Sequence, residues 1–271
     1  MGHYIQTEDN VKIFVEDIGE GKPVILLHGW PLNHEMFEYL MNELPQRGYR
    51  FIGIDLRGYG KSDHPMKGYD YNTMADDVKA VIDELKLDQA VLAGFSMGGP
   101  IAARYMTRHS GHHVSRLLLL SAAAPVFTQR EDYPYGMTKA DVDELIQQIQ
   151  EDRPAALAGF GKKFFGTQPS EEFTMWFNQL ALTSSPNGTI QSAYALRDED
   201  LRMELSDISV PTLLMHGKKD QICPYEFALE MLERIPDAQL IPFEESGHGI
   251  FYDEKEKFNT EFLNFLQYSL V

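Results

Sequence analysis

The sequence predicts an α/β fold: a mostly parallel central sheet, helices on both faces, and a helical cap. Three observations carry this. Short β-rich runs alternate with longer helical patterns, the order that builds a parallel sheet. The run "KPVILLHG" (22–29) is apolar almost throughout, as a strand buried on both faces must be. Between about residues 126 and 205 the alternation stops, and helical patterns follow one another.

Taken in order, "VKIFVEDIG" (11–19) reads as a strand and "KPVILLHG" as the next. "HEMFEYLMNELPQRG" (34–48) has an amphipathic helical pattern that ends at Gly48, and "YRFIGIDLRGYG" (49–60) is strand then turn. In 71–87, Met74, Val78, Val81, Ile82 and Leu85 recur at helical spacing, with Asn72 or Thr73 as the expected cap. "AVLAGFS" (90–96) is a strand, "MGGPIAARYMTRH" the helix after it, and "SRLLLLSA" (115–122) a further strand. "DVDELIQQIQ", "RPAALAGFGKKFF", "SEEFTMWFNQLAL" and "IQSAYALRDEDL" form the helical stretch. Strands return at 210–217 and 238–246, with the helix "YEFALEMLERI" between them and "KEKFNTEFLNFLQYSL" as the closing helix. The expected organisation is a core of residues 1–125 and 206–271, with residues 126–205 inserted as a cap.

The length of 271 residues, 43% hydrophobic, suits one domain with an inserted lobe. Lys plus Arg number 24 against 41 Asp plus Glu, a net charge of −17, and no basic patch is visible, which argues against a nucleic-acid partner. The one cysteine, Cys223, excludes an intrachain disulfide and fits a reducing compartment. The first ten residues lack a signal-peptide pattern, and Gln6 breaks a myristoylation pattern at Gly2. The most apolar run, 117–127, is too short to span a bilayer. The expectation is a soluble, cytoplasmic protein with a small-molecule partner, no nucleic acid and no membrane. Nothing in the sequence excludes a homo-oligomer.

"GFSMGG" (94–99) is where the chemistry starts. G-x-S-x-G alone arises by chance in about one chain in ten of this length. Here it stands between a predicted strand and a predicted helix, the context of a nucleophile elbow. So tight a turn needs small residues two before and two after the serine, and Gly94 and Gly98 supply them. The helix N-terminus favours negative charge developing at Ser96. Phosphate-loop and dinucleotide patterns are absent from this stretch.

A serine hydroxyl needs a base, and the base an orienting carboxylate. Downstream, "MHGKKDQICP" places Asp220 after one predicted strand, and "EESGHGIF" places His248 after another. Both fall beyond the C-terminal ends of parallel strands, where open α/β sheets bind ligands. Ser96, Asp220 and His248 follow the order Ser, acid, His. The oxyanion formed in acyl transfer needs two N–H donors. Met97, after the nucleophile, offers one; Trp30 offers the other, since Pro31 has no N–H. His28 and Gly29 are read as shaping that turn. His109, His112 and His113 are read as a solvated helix end rather than metal ligands, His216 as packing at a strand end, and Cys223 as a small buried residue.

Together "HGWPLN", "DLRGYGKSD", "GFSMGG", "HGKKDQICP" and "SGHGIF" resemble the α/β-hydrolase superfamily. Trp30, "YDYNTMADDV", "GFSMGGPIAARY" and "SAAAPVF" (121–127) resemble its cofactor-free haloperoxidase/arylesterase group. The similarity covers essentially the whole chain and is weaker through 130–205. It implies the α/β-hydrolase fold and a serine carboxylesterase acting on small esters, with no metal or other cofactor. It implies perhydrolysis of carboxylic acids with hydrogen peroxide as a further activity. It also implies an acyl pocket lined by Trp30, Phe127, Phe160, Phe164 and Ile222. Proline at position 31 is frequent in haloperoxidase-like members, and it would aim the Trp30 carbonyl at hydrogen peroxide. Cys223 stands where relatives often carry valine, so sensitivity to thiol reagents is an expectation. Aspartate-elbow dehalogenases and epoxide hydrolases do not fit Ser96. A carbon–carbon bond or lactone hydrolase stays open, as does a slow-turnover ligand-sensing protein.

Overall fold

The structure, a computed structural model, describes residues 2–267. Eight strands form one sheet: β1 (Gly2–Gln6), β2 (Lys12–Ile18), β3 (Lys22–Leu27), β4 (Tyr49–Ile54), β5 (Ala90–Phe95), β6 (Val114–Leu120), β7 (Thr212–Gly217) and β8 (Ala238–Phe243). Their order is β1-β2-β4-β3-β5-β6-β7-β8. β2 runs antiparallel to β1 and β4; every other pairing is parallel. β5 and β7 are buried along their whole length, as their apolar runs require. β1 has no counterpart in the sequence reading. It is an edge strand with only Ile5 buried, so it carries no apolar pattern, and pairing with β2 is what makes it a strand.

The stretch 34–48 begins as a 3₁₀ turn, His34–Phe37, and continues as α1 (Glu38–Gln46). The helix α2 (Tyr71–Glu84) is capped by Asp70 rather than by the expected Asn72 or Thr73. Asp70 has extended φ/ψ, and its carboxylate accepts from the Thr73 N–H at 3.0 Å, which an N-cap requires. α3 (Gly98–Arg108) follows β5 directly.

Between β6 and β7 the chain leaves the sheet and forms α4 (Lys139–Gly161), α5 (Glu171–Leu182) and α6 (Pro186–Asp198). The sequence suggested two helices where α4 runs. The structure joins them across a kink at Asp152 (φ −151°, ψ 84°), two residues before Pro154. Proline cannot donate into the preceding turn, and the Asp152 carboxylate restarts the helix by accepting from Ala155 N–H at 3.1 Å. The last three helices are α7 (Glu226–Arg234), the short α8 (Ile250–Asp253) and α9 (Lys255–Gln267); residues 268–270 of the expected closing helix lie outside the described residues. Among the described residues no helix is long and apolar enough to cross a membrane.

Candidate active site

The candidate site is assembled at the C-terminal ends of the central strands. Ser96 sits between β5 and α3 at φ +51°, a left-handed conformation that costs energy in a non-glycine residue. The chain around it is held by Ser96 N–H donating to Leu120 O (2.9 Å) and by Ser96 O accepting from Gly99 N–H (2.9 Å) and Ala123 N–H (3.0 Å). The turn leaves no room at Gly94, where a Cβ would stand 2.2 Å from Gly98 O. The small flanking residues of "GFSMGG" are therefore a steric requirement.

The loop after β3 lies directly over the serine. A Cβ on Gly29 would come within 2.8 Å of Ser96 Cβ. The Trp30 and Met97 backbone N–H groups donate to no acceptor among the described residues, which leaves both free for a ligand oxygen. Trp30 is held by its side chain: the indole N–H donates to Thr189 O on α6 at 2.9 Å, and the ring packs edge-on against Phe160 at 4.9 Å. His28 anchors the loop from below. Its Nδ1–H donates to Gly29 O (2.9 Å), and its Nε2 accepts from Leu56 N–H (3.0 Å), a pairing open only to the neutral ring. Burial pushes His28 down to about 4. Beneath it the buried Asp55 accepts from the His34 ring at 2.7 Å and from the backbone N–H of His34 and Lys61, both at 2.8 Å.

The acid and the base meet. Asp220 Oδ2 accepts from His248 Nδ1 at 2.7 Å, while Oδ1 accepts from the N–H groups of Ile222 (2.8 Å) and Cys223 (2.9 Å). A carboxylate only accepts, so Nδ1 carries the proton and the Nε2 lone pair is the basic one. Nε2 is buried with no hydrogen-bond partner among the described residues, so the bond to Ser96 is unmade in this structure. Such bonds commonly tighten only when substrate binds. His216 steadies the acid loop by donating from Nε2 to Cys223 O at 2.8 Å. Burial, and then the Asp220 charge, push the Cys223 thiol well above its ordinary range. The thiol therefore stays protonated and fully buried, which runs against the expected sensitivity to thiol reagents.

An inner pocket of about 20 Å³ opens on Ser96, and Trp30, Phe127, Phe160 and Ile222 line it with Val142, Leu145, Ala193 and Leu196. Phe164 is not among the lining residues. It is buried on the base itself, its ring 4.8 Å from that of His248 and 5.8 Å from that of Phe95. α4 ends at Gly161, and the chain beyond it turns the Phe164 ring toward the histidine. Val142 and Leu145 were not singled out from sequence, because in "DVDELIQQIQ" they look like any apolar helix face. Leu145, Phe160 and Ile222 also border an outer cleft of about 620 Å³. His109, His112 and His113 contact three different carboxylates, Asp76 (2.9 Å), Asp83 (3.0 Å) and Asp88 (2.9 Å). Among the described residues no cluster of three metal-ligating side chains forms.

An eight-stranded sheet of this order, with a serine elbow after β5 and a helical insertion after β6, defines a class. The chain belongs to the alpha/beta hydrolase fold family, whose pattern matches residues 22–255. It is 62% identical over 260 residues to the AB hydrolase superfamily protein YisY of Bacillus subtilis, covering 96% of this chain and 97% of that one. It is 32% identical to the bifunctional esterase/perhydrolase DCH of Acinetobacter calcoaceticus, over 97% of this chain and 99% of that one. Among solved structures, an esterase from Exiguobacterium antarcticum superposes with a TM-score of 0.98 at 56% identity, over 99% of this chain and 100% of that one.

Proposed function

We propose that this chain is a serine carboxylesterase for small esters, working through an acyl-enzyme. The observation that carries the reading is the His248–Asp220 pair, its basic nitrogen free, beside an elbow serine and two unpaired backbone N–H groups. Ser96 attacks the ester carbonyl and its proton passes to His248 Nε2. Trp30 and Met97 N–H hold the oxyanion, and the alcohol leaves with the proton from His248. Water, deprotonated by the same nitrogen, then releases the acid and restores Ser96. The inner pocket, about 20 Å³, has room for little more than one water, which favours short acyl groups. The relatives called esterases support the same reading.

Hydrolysis of p-nitrophenyl acetate, butyrate and octanoate by wild type and Ser96→Ala tests it. Turnover that falls with chain length and vanishes in Ser96→Ala supports the proposal. A folded wild type inert toward all three overturns it.

Perhydrolysis is the second activity, favoured by Pro31 beside Trp30 and by the relative named an esterase/perhydrolase. Here hydrogen peroxide replaces water on the acyl-enzyme, giving the peracid and free Ser96. Peracid formed from acetic acid and hydrogen peroxide by wild type but not by Ser96→Ala is the expected result.

A further inference from the structure

Asp253, the last residue of α8, turns its carboxylate back across the loop that carries His248. Four donors meet on it. Oδ2 accepts from Gly166 N–H at 2.7 Å and from Gly247 N–H at 2.9 Å. Oδ1 accepts from Thr167 N–H at 3.0 Å and from Thr167 Oγ1 at 2.5 Å. Gly247 directly precedes the candidate base; Gly166 and Thr167 belong to the cap segment after α4. One side chain therefore joins the two parts of the molecule that must agree for chemistry to occur.

The surroundings make the join close. A Cβ on Gly166 would stand 2.5 Å from Gly247 N, and one on Gly247 would stand 2.6 Å from Gly166 N, so the two backbones touch. On the far side of the histidine, Gly249 N–H donates to Phe164 O at 2.8 Å. The His248 ring lies between Phe95 of β5, 4.9 Å away, and Phe164 of the cap, 4.8 Å away. The cap thus forms one wall of the base, and Phe160, a few residues earlier in the same segment, forms a wall of the inner pocket.

We infer that Asp253 is a positioning residue that locks the cap segment 164–167 to the His248 loop, so that one carboxylate sets both the aim of the base and the width of the inner pocket. The activity side of this inference rests on the proposed esterase reading. Only an ionised carboxylate offers acceptors to four donors while donating to none. Asparagine has the same shape but turns an NH₂ toward two of the N–H groups. Released, the loop and the cap drift apart, and small displacements of a base are costly.

The test is Asp253→Asn, with Asp253→Glu, which keeps a carboxylate, as the conservative variant. Amide hydrogen exchange is measured at Gly166, Thr167 and Gly247, together with kinetics on p-nitrophenyl acetate and octanoate. In Asp253→Asn those three amides exchange about tenfold faster or more, while β5 and β6 keep their protection. The kcat for acetate falls about 10- to 100-fold with KM little changed, and the octanoate-to-acetate ratio of kcat/KM rises. Asp253→Glu recovers part of the lost rate. A tie that merely stabilised the fold would move neither the selectivity ratio nor the split between kcat and KM. Unchanged exchange at the three amides overturns the inference, as does faster exchange with kcat and selectivity intact. A wild type inactive on every ester sinks the esterase reading alone, because exchange still decides whether the lock exists.

Discussion

Asp220 and His248 meet at 2.7 Å, and Asp220 divides its work between its two oxygens. Oδ2 fixes the proton on His248 Nδ1; Oδ1 is spent on the N–H groups of Ile222 and Cys223, which hold the carboxylate in place. Asp220→Asn presents an amide N–H to Nδ1 and favours the other tautomer, placing the proton on Nε2. The kcat for p-nitrophenyl acetate is expected to fall about 10³- to 10⁴-fold. A fall of only a few-fold would show that the carboxylate does not set the tautomer.

Gly94 and Gly98 touch across the elbow, so Gly94→Ala forces a methyl group to within 2.2 Å of a backbone oxygen. No flexible side chain can yield there. The variant should lose about 3 kcal/mol or more of stability, in the range of buried steric insertions, read as a lower urea midpoint or as failure to fold. A variant as stable as wild type would contradict the close approach.

Trp30→Phe keeps an aromatic wall but removes the indole donor from Thr189 O. The loss should cost about 1 kcal/mol in stability. The variant keeps the Trp30 backbone N–H, the candidate oxyanion donor, but loses the indole anchor that holds its loop in place, so kcat should fall more than KM rises. Comparison of kcat and KM with wild type checks this; a pure KM effect would reduce Trp30 to a pocket wall.

His28 carries a pH signature. Burial lowers it from 6.5 to about 4. Between those values the unfolded chain binds a proton that the folded ring does not. Stability therefore falls as pH drops through that window, by about 3 kcal/mol from this residue, and below pH 4 His28 adds no further loss. His216, also lowered chiefly by burial, acts in the same direction. Urea midpoints at pH 7, 5.5 and 4 should decline less steeply in His28→Gln than in wild type. Parallel declines would show that His28 is not the source.

Cys223 is fully buried and its thiol is held protonated. A charged disulfide reagent should react slowly with the native protein and leave esterase activity intact, then titrate the single cysteine after denaturation. Rapid loss of activity would show that the thiol is reachable from the pocket.

Periodicity makes the parallel sheet legible, and local chemistry singles out the triad candidates, because each of those signals is written in neighbouring residues. Apolar runs mark β3 and β5, and the glycines around Ser96 mark a turn whatever surrounds it. Asp220 and His248 stand out as candidates because each follows a strand-like run in a short turn. What needed the tertiary structure was contact between distant segments. β1 exists through its pairing with β2, since its own residues bury only Ile5. Phe164 faces His248 rather than the pocket because of how the chain turns after α4. Asp253 reads in sequence as one more acid in "YDEKEKF", yet its four donors come from the cap and from the histidine loop. Hydrogen bonds of that kind are made between surfaces that only folding brings together, and no pattern along the chain records them.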